Sequence, residues 1–199
     1  MDVLVLMGSP RKKGNTATLL VPFLDELAAR GHRVKHVVLH GMTIQACIEC
    51  FHCQKTLDAP GCGLQDDMDA LFLDILAADV IVWATPIFTW FCPPEMKAAM
   101  DRLFCLSKTY NELPDPPRLL KGKRLALIST YGADATTGPD LFEAAMRREC
   151  TYAHMVFAGH LGVRDVHGLQ DFFSAEAKDA ARSFARALDR GECQERFLP

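Results

Sequence analysis

Two stretches of this 199-residue chain carry residue types that can do chemistry. The first is Gly8-Ser9-Pro10-Arg11-Lys12-Lys13-Gly14-Asn15-Thr16. Ser9, Asn15 and Thr16 bring side-chain hydrogen-bond donors, and Arg11, Lys12 and Lys13 bring positive charge. The apolar run Val3 to Met7 precedes it and reads as a buried strand, while a helical pattern follows from Thr16. A strand, a small polar turn and a helix start, in that order, make a place to hold a phosphate. The first N–H groups of the helix are free there and its dipole favours negative charge. No Lys-Ser or Lys-Thr follows the second glycine, so this is not a Walker loop, and the Gly-x-Gly-x-x-Gly dinucleotide fingerprint is absent. A hydroxyl-rich loop suits the monoester phosphate of a ligand such as FMN. The alternative is a solvated basic loop.

The second stretch is a cluster of thiols. Of eight cysteines, Cys47, Cys50, Cys53 and Cys62 crowd into one segment. In a reducing compartment, metal or redox chemistry is a better expectation for them than a disulfide framework. Cys92, Cys105, Cys150 and Cys193 are scattered, and burial as small apolar residues accounts for most of these. A third stretch, Thr85-Pro86-Ile87-Phe88-Thr89-Trp90-Phe91, combines a proline turn with three aromatics. Flat apolar surface of this kind suits the stacking of a flavin ring. It equally suits a patch covered by a neighbouring subunit, and the two are compatible.

The elements that position these stretches alternate regularly. Helical periodicity from Thr16 to Arg30 is followed by a strand over Arg33 to Leu39, with Pro22 expected to kink the helix or delay its start. A long polar segment, His40 to about Gln65, carries the four cysteines, and connections of that length are usually functional. A helix capped by Asp66 or Asp67 leads to a strand at Asp79 to Ala84. Pro94 opens a further helix. Ser107 to Gly122 reads as a surface excursion without a core. Lys123 to Ser129 is a fourth strand, and the loop Thr130-Tyr131-Gly132 onward to Pro139 precedes a helix to about Tyr152. Met155 to Val163 is a fifth strand, and Ser174 to Arg190 a closing amphipathic helix. Five strands alternating with helices predict an α/β doubly wound parallel sheet, in one domain over residues 1–199. Ligands of such sheets bind outside the carboxyl ends of the strands, where the phosphate loop, the cysteine segment, the aromatic loop and the loop after the fourth strand all fall.

Composition narrows the partners. The net charge is −3 and 49% of residues are apolar, which points away from nucleic acid and membrane surfaces. Val3 to Met7 is too short for a signal-peptide core, and no apolar run approaches a membrane span, so a soluble, cytoplasmic protein is expected. Asp66, Asp67 and Asp69 read as a helix N-terminus. His32, His36 and His40 lie along or beside the second strand, and Lys97 and Arg102 are expected in surface pairs with Glu95 or Asp101.

Gly8-Ser9-Pro10-Arg11…Gly14-Asn15-Thr16, Asp66-Asp67-Met68, Thr85-Pro86-Ile87-Phe88 and Met96-Lys97…Asp101-Arg102 together resemble the NADPH-dependent FMN reductase family of flavodoxin-like proteins. The resemblance implies strand order 2-1-3-4-5, FMN as cofactor, NAD(P)H as electron donor and a homodimer or homotetramer. It assigns the phosphate to Ser9, Arg11, Lys12, Asn15 and Thr16, and the ring to Pro86, Ile87, Phe88 and Thr89, with Thr130, Tyr131 and Gly132 beside them. The implied activity is an FMN-dependent NAD(P)H oxidoreductase passing electrons to a quinone or a flavin, in which the cofactor carries the chemistry and no catalytic side chain is required.

The cysteine segment resembles that of the iron–sulfur flavoproteins. Thiolates at two-residue intervals can wrap three corners of a cubane, with Cys62 as the fourth ligand, although the eight residues after Cys53 are slightly more than that pattern leads one to expect. On this reading FMN exchanges electrons with a [4Fe–4S] cluster and a ferredoxin-like carrier is the partner. A zinc site using His52 and free or redox-active thiols are the alternatives. A flavin electron shuttle or sensor without turnover is a further one.

Overall fold

The computed structural model describes residues 1–198. Six parallel strands form one sheet in the order β2-β1-β3-β4-β5-β6. They are β1 (Asp2–Met7), β2 (Arg33–Val38), β3 (Val80–Pro86), β4 (Arg124–Tyr131), β5 (Val156–Arg164) and β6 (Gln194–Leu198). The expected order 2-1-3-4-5 is therefore present and extended by one strand. The sixth was missed because Gln194-Glu195-Arg196-Phe197-Leu198 has one clear apolar end and no alternation to announce it.

Gly159 is what lets β6 join. Its φ is +125°, and a Cβ there would lie 2.1 Å from the Gln194 carbonyl oxygen. Only a residue without a side chain admits that approach.

Successive side chains of each strand point to opposite faces, so each buried strand feeds two cores. On one face Val3, Val5, Val82 and Ile128 pack under α1 (Asn15–Ala29) and two helices reached after β5, with Phe23 and Phe184 fully buried. On the other face Leu4, Leu6, Trp83 and Leu127 pack under α2 (Met68–Ala77), α3 (Pro94–Arg102) and α4 (Asp140–Ala153). Burial of each such side chain contributes about 1.5–3 kcal/mol. The two later helices are α5 (Leu169–Phe173) and α6 (Ala175–Asp189). Ser174 caps α6, its hydroxyl accepting from the Ala177 N–H at 3.1 Å. No helix among the described residues is long and apolar enough to cross a membrane.

Two local expectations need correction. Pro22 does not delay α1, which starts at Asn15 and runs through it to Ala29. The excursion from Ser107 to Gly122 is not confined to the surface. Ser107, Lys108 and Leu120 are buried, and Ser107 bridges to Arg118. This hairpin-like return lets Lys108 reach under the cysteine segment.

Candidate functional site

At the carboxyl end of the sheet the loop after β1 turns directly into α1. Ser9 Oγ accepts from the Arg11 N–H at 3.2 Å, and the Gly14 N–H donates to the Arg11 carbonyl at 3.1 Å, so the loop is internally tied. Gly8 lies against α3: a Cβ there would come 2.9 Å from Met96 Cε. Gly14 occupies the N-cap position, no side chain caps the helix, and its first turn holds no acidic residue. The start of α1 thus presents N–H groups and a positive dipole end with no protein carboxylate in its first turn.

A cleft of about 170 Å³ opens at this point, lined by Ser9, Arg11, Asn15 and Thr16 from the β1–α1 turn, Pro86, Ile87 and Phe88 after β3, and Thr130, Tyr131 and Gly132 after β4. Thr16 and Thr130 join hydroxyl to hydroxyl at 2.9 Å across its floor. The Ile87 N–H donates to the Thr130 carbonyl at 2.8 Å, which fixes the aromatic loop to the end of β4. Tyr131 is buried and its hydroxyl has no partner. Burial pushes its pKa up to about 12, so it stays a protonated donor at neutral pH. An uncapped helix start, paired threonine hydroxyls and an orphaned phenol are the donor set that a phosphate-bearing flavin would satisfy.

Two of the expected residues lie elsewhere. Lys12 faces the groove between α1 and α5, with Lys13, Lys178 and Arg182. Thr89 lines an adjoining hollow with Trp90, Ala133 and Gly138 that shares Ile87, Tyr131 and Gly132 with the cleft. Thr89 and Trp90 have φ of 48° and 63°, and Phe88 and Phe91 hydrogen-bond to each other in both directions at 2.8 and 3.0 Å. This is a two-residue turn of the mirror-image type, made without the glycine or asparagine such turns favour. Phe88, at the cleft, and Trp90, at the adjoining hollow, are both half-exposed.

Sequence reasoning missed Asp165, which also lines the cleft. Its carboxylate accepts from Asn15 Nδ2 at 2.6 Å and from the Gly168 N–H at 2.9 Å, orienting Asn15 from the end of β5. An aspartate directly after the fifth strand, at the ligand edge of the sheet, was the available signal.

The cysteine segment forms a second locus. Cys47, Cys50, Cys53 and Cys62 line one small pocket together with Arg102, Phe104 and Cys105. Glu49 and Phe51 have φ of 54° on either side of Cys50, so the chain curls around that residue. Among the described residues no three His, Cys, Asp or Glu side chains converge on a single metal ion. His52 instead lies 3.2 Å from the Gly61 carbonyl through Nδ1.

What closes this loop differs from expectation. Arg102 is not in a surface pair; it is 1% exposed and its Nη1 donates to Asp66 at 2.9 Å. The surface carboxylates are already taken, Asp101 by Lys97 at 2.6 Å and Glu95 by His40 at 3.1 Å. Arg102 also donates to the carbonyls of Gln45 and Leu64. Asp66 does more than start α2. It accepts from the N–H groups of both Gln45 and Met68, and Asp67 accepts from that of Thr43, so the two ends of the cysteine loop are clasped. Burial pushes the Asp66 pKa up, but the Arg102 guanidinium and these N–H donors outweigh it, leaving the carboxyl below its ordinary range. Lys108 is fully buried and its Nζ donates to the carbonyls of Cys53, Ala59 and Pro60 at 2.9, 2.8 and 3.0 Å.

A third constellation resembles a nucleophilic triad and is sealed. Ser129 Oγ and His160 Nε2 are 2.7 Å apart, and His160 Nδ1 is 2.7 Å from Glu143. Ser129 and His160 are both fully buried, so no substrate reaches the hydroxyl. Burial pushes the His160 pKa below the usual imidazole range, while His160 and Arg147 hold Glu143 below the ordinary carboxyl range. The array clamps β4, β5 and α4 through a neutral imidazole and an ionised carboxylate.

The family model for NADPH-dependent FMN reductases matches residues 1–163. The chain belongs to the NADPH-dependent FMN reductase family. Among relatives of this FMN reductase family chain, an iron–sulfur flavoprotein of Methanosarcina thermophila is 28% identical over 138 residues, 69% of this chain and 63% of that protein. An iron–sulfur flavoprotein of Archaeoglobus fulgidus is 31% identical over 131 residues, 66% of this chain and 54% of the relative. An FMN-dependent NADH:quinone oxidoreductase of Sinorhizobium fredii is 37% identical over 94 residues, 47% of this chain and 44% of the relative. The chain thus spans less than two thirds of the length of these relatives. An NAD(P)H:quinone oxidoreductase from Methanothermobacter marburgensis shares the fold at a TM-score of 0.69 and 16% identity, over 95% of this chain and 97% of that one. An FMN-dependent NADH-azoreductase from Bacillus anthracis, solved with FMN, does so at 0.67 and 14%, over 96% and 99%.

Proposed function

We propose that this member of the FMN reductase family is an FMN-dependent NAD(P)H oxidoreductase that delivers electrons to a small acceptor, a quinone or a flavin. One observation carries the reading: a single cleft joins an uncapped helix start to an aromatic loop, which gives one ligand a place for a phosphate at one end and a flat ring at the other. Ser9, Arg11, Asn15 and Thr16 would hold the phosphate. Pro86, Ile87 and Phe88 would lie along the ring, with Thr130, Tyr131 and Gly132 at its edge and Thr89 contributing from the adjoining hollow. Lys12 would add to the positive field from outside the cleft. Bound FMN would supply the hydride-accepting and electron-donating chemistry, and the protein's tasks are to anchor, orient and partly cover it. The names of the quinone oxidoreductase relatives favour a small acceptor.

The half-exposed Phe88 at the cleft and Trp90 at the adjoining hollow favour a homodimer or homotetramer in which a second copy covers them. Eight unpaired cysteines favour a reducing, cytoplasmic setting, and one domain suffices for these tasks. The test is anaerobic: purified protein loaded with FMN is mixed with NADH or NADPH, and flavin bleaching is followed. Bleaching by either nicotinamide and recolouring by a quinone is the expected result. FMN that binds but is reduced by neither donor would sink the enzyme reading and leave the non-turning-over shuttle.

A second reading is favoured by a separate observation, the gathering of Cys47, Cys50, Cys53 and Cys62 around one pocket flanked by the buried cation Arg102. Here the protein is an iron–sulfur flavoprotein, with the four thiolates holding a [4Fe–4S] cluster and a ferredoxin-like carrier as partner. The two loci are close. Met96, behind Gly8, and Arg102, in the cysteine pocket, are six residues apart on α3, about 9 Å along its axis. Iron and acid-labile sulfide in anaerobically prepared protein decide this reading, and their absence would exclude it.

A further inference from the structure

Lys108 presents an unbalanced charge. It is fully buried, and its three N–H bonds are all spent on neutral carbonyls, those of Cys53, Ala59 and Pro60. Three acceptors around one nitrogen need all three hydrogens of an ammonium, so the geometry itself calls for the charged form. Among the described residues no carboxylate lies in ion-pair contact with it, Asp58 acting only from farther off, whereas Asp66 neutralises the neighbouring buried Arg102 directly. A buried cation left without a counter-charge is strongly disfavoured, and folded proteins pair such groups or place them on a bound ion. The carbonyls it holds belong to Cys53 and to the two residues just before Gly61-Cys62, so Lys108 is fixed to both arms of the cysteine loop. A second unmet demand lies beside it. Arg102 Nε is buried without a partner, and Arg102 lines the same pocket as the four thiols, close to Cys62.

We propose that Lys108 is the counter-charge of an anionic thiolate-ligated centre on Cys47, Cys50, Cys53 and Cys62, and that it tunes the potential of that centre as well as shaping the loop. The proposal rests on the iron–sulfur reading above. Neutral thiols would leave Lys108 with only the more remote Asp58 to offset it, whereas thiolates carrying a cluster supply negative charge at close range and give Arg102 Nε an acceptor. Each electron taken up by such a centre adds negative charge beside a fixed cation, so Lys108 favours the reduced form. It touches no substrate and acts through the loop and its field, as a positioning residue.

The test uses the full chain, reconstituted anaerobically with ferrous iron and sulfide, as wild type, K108Q and K108R. FMN stoichiometry, read at the separate cleft after β1, confirms folding of each variant. The expected result is that wild type takes up a cluster, that the reduction potential in K108Q moves to a more negative value, and that K108R returns it towards wild type. Iron uptake by K108R but not K108Q also supports the proposal, since the two differ in charge. A K108Q cluster with the wild-type potential would overturn it, as would loss of iron from both variants, which assigns Lys108 to loop geometry alone. Wild-type protein that binds FMN but takes up no iron fails the iron–sulfur reading itself, and the counter-charge falls with it.

Discussion

The β1–α1 loop and the cysteine loop both leave the carboxyl end of the sheet, one after β1 and the other after β2, and they are stabilised in opposite ways. The first is short, and its order comes from within: Ser9 binds the Arg11 N–H, Gly14 binds the Arg11 carbonyl, and Thr16 meets Thr130 at the next strand but one. Its buried polar groups are uncharged. The second is long, contains only the short helical turn His52–Lys55, and is held from outside by Asp66, Arg102 and Lys108. A locally tied loop should fail in ligand affinity when altered, because the sheet and α1 hold its shape regardless. A loop tied by distant charges should fail in folding, because removing one partner strands another.

The largest expected effect separates the two loops completely. Cys50→Ser should reduce iron uptake to background while FMN binds with wild-type stoichiometry, measured by metal analysis and flavin absorbance on the same sample. Asp66→Asn comes next. It leaves Arg102 buried without its charge partner and should cost about 3–5 kcal/mol in urea unfolding. The pH dependence carries the same signature. Because the folded Asp66 pKa is depressed, its contribution is fully present above the unfolded value near 4 and is lost as pH falls through the lower folded value. Wild-type stability should therefore drop in acid more steeply than that of the variant, as seen in melting curves across that range.

Smaller effects belong to the first loop. Thr16→Val removes one hydroxyl of the Thr16–Thr130 pair and should weaken FMN binding by about 1–3 kcal/mol, roughly 5- to 150-fold, in a fluorescence titration. Thr89→Asn is the smallest. Asparagine tolerates the left-handed backbone better than threonine, so the variant should be more stable by about 1 kcal/mol, with metal uptake unchanged.

Much of the first locus was legible because its signals are contiguous. Ser9, Asn15 and Thr16 sit in one run between an apolar strand and a helix, and Pro86-Ile87-Phe88 stands immediately after another strand. Order along the chain translated directly into neighbourhood in space, through the rule that ligands gather at strand ends. The second locus was only half legible. The cysteine spacing is local and visible, but its supports are not. Arg102 lies 36 residues from Asp66 and Lys108 55 from Cys53, separations at which sequence pattern carries no pairing information. Arg102 also had nearer carboxylates, Glu95 and Asp101, and the structure shows these occupied by His40 and Lys97. Asp165 and β6 were missed for a related reason: each draws its meaning from the sheet, not from its flanking residues.

The small residue at position 159 reaches beyond strand packing. Without Gly159 the β6 backbone could not approach, and β5, with its apolar Ala158, Leu161 and Val163, would become the outer strand of the sheet. An apolar unpaired edge is a template for association between chains and for aggregation. With β6 in place the outermost backbone belongs instead to a short strand carrying Glu195 and Arg196, paired to Arg147 and Glu176. The opposite edge, β2, carries Arg33, Lys35 and His36. Both margins of the sheet are thereby charged, and one missing methyl group keeps one of them so.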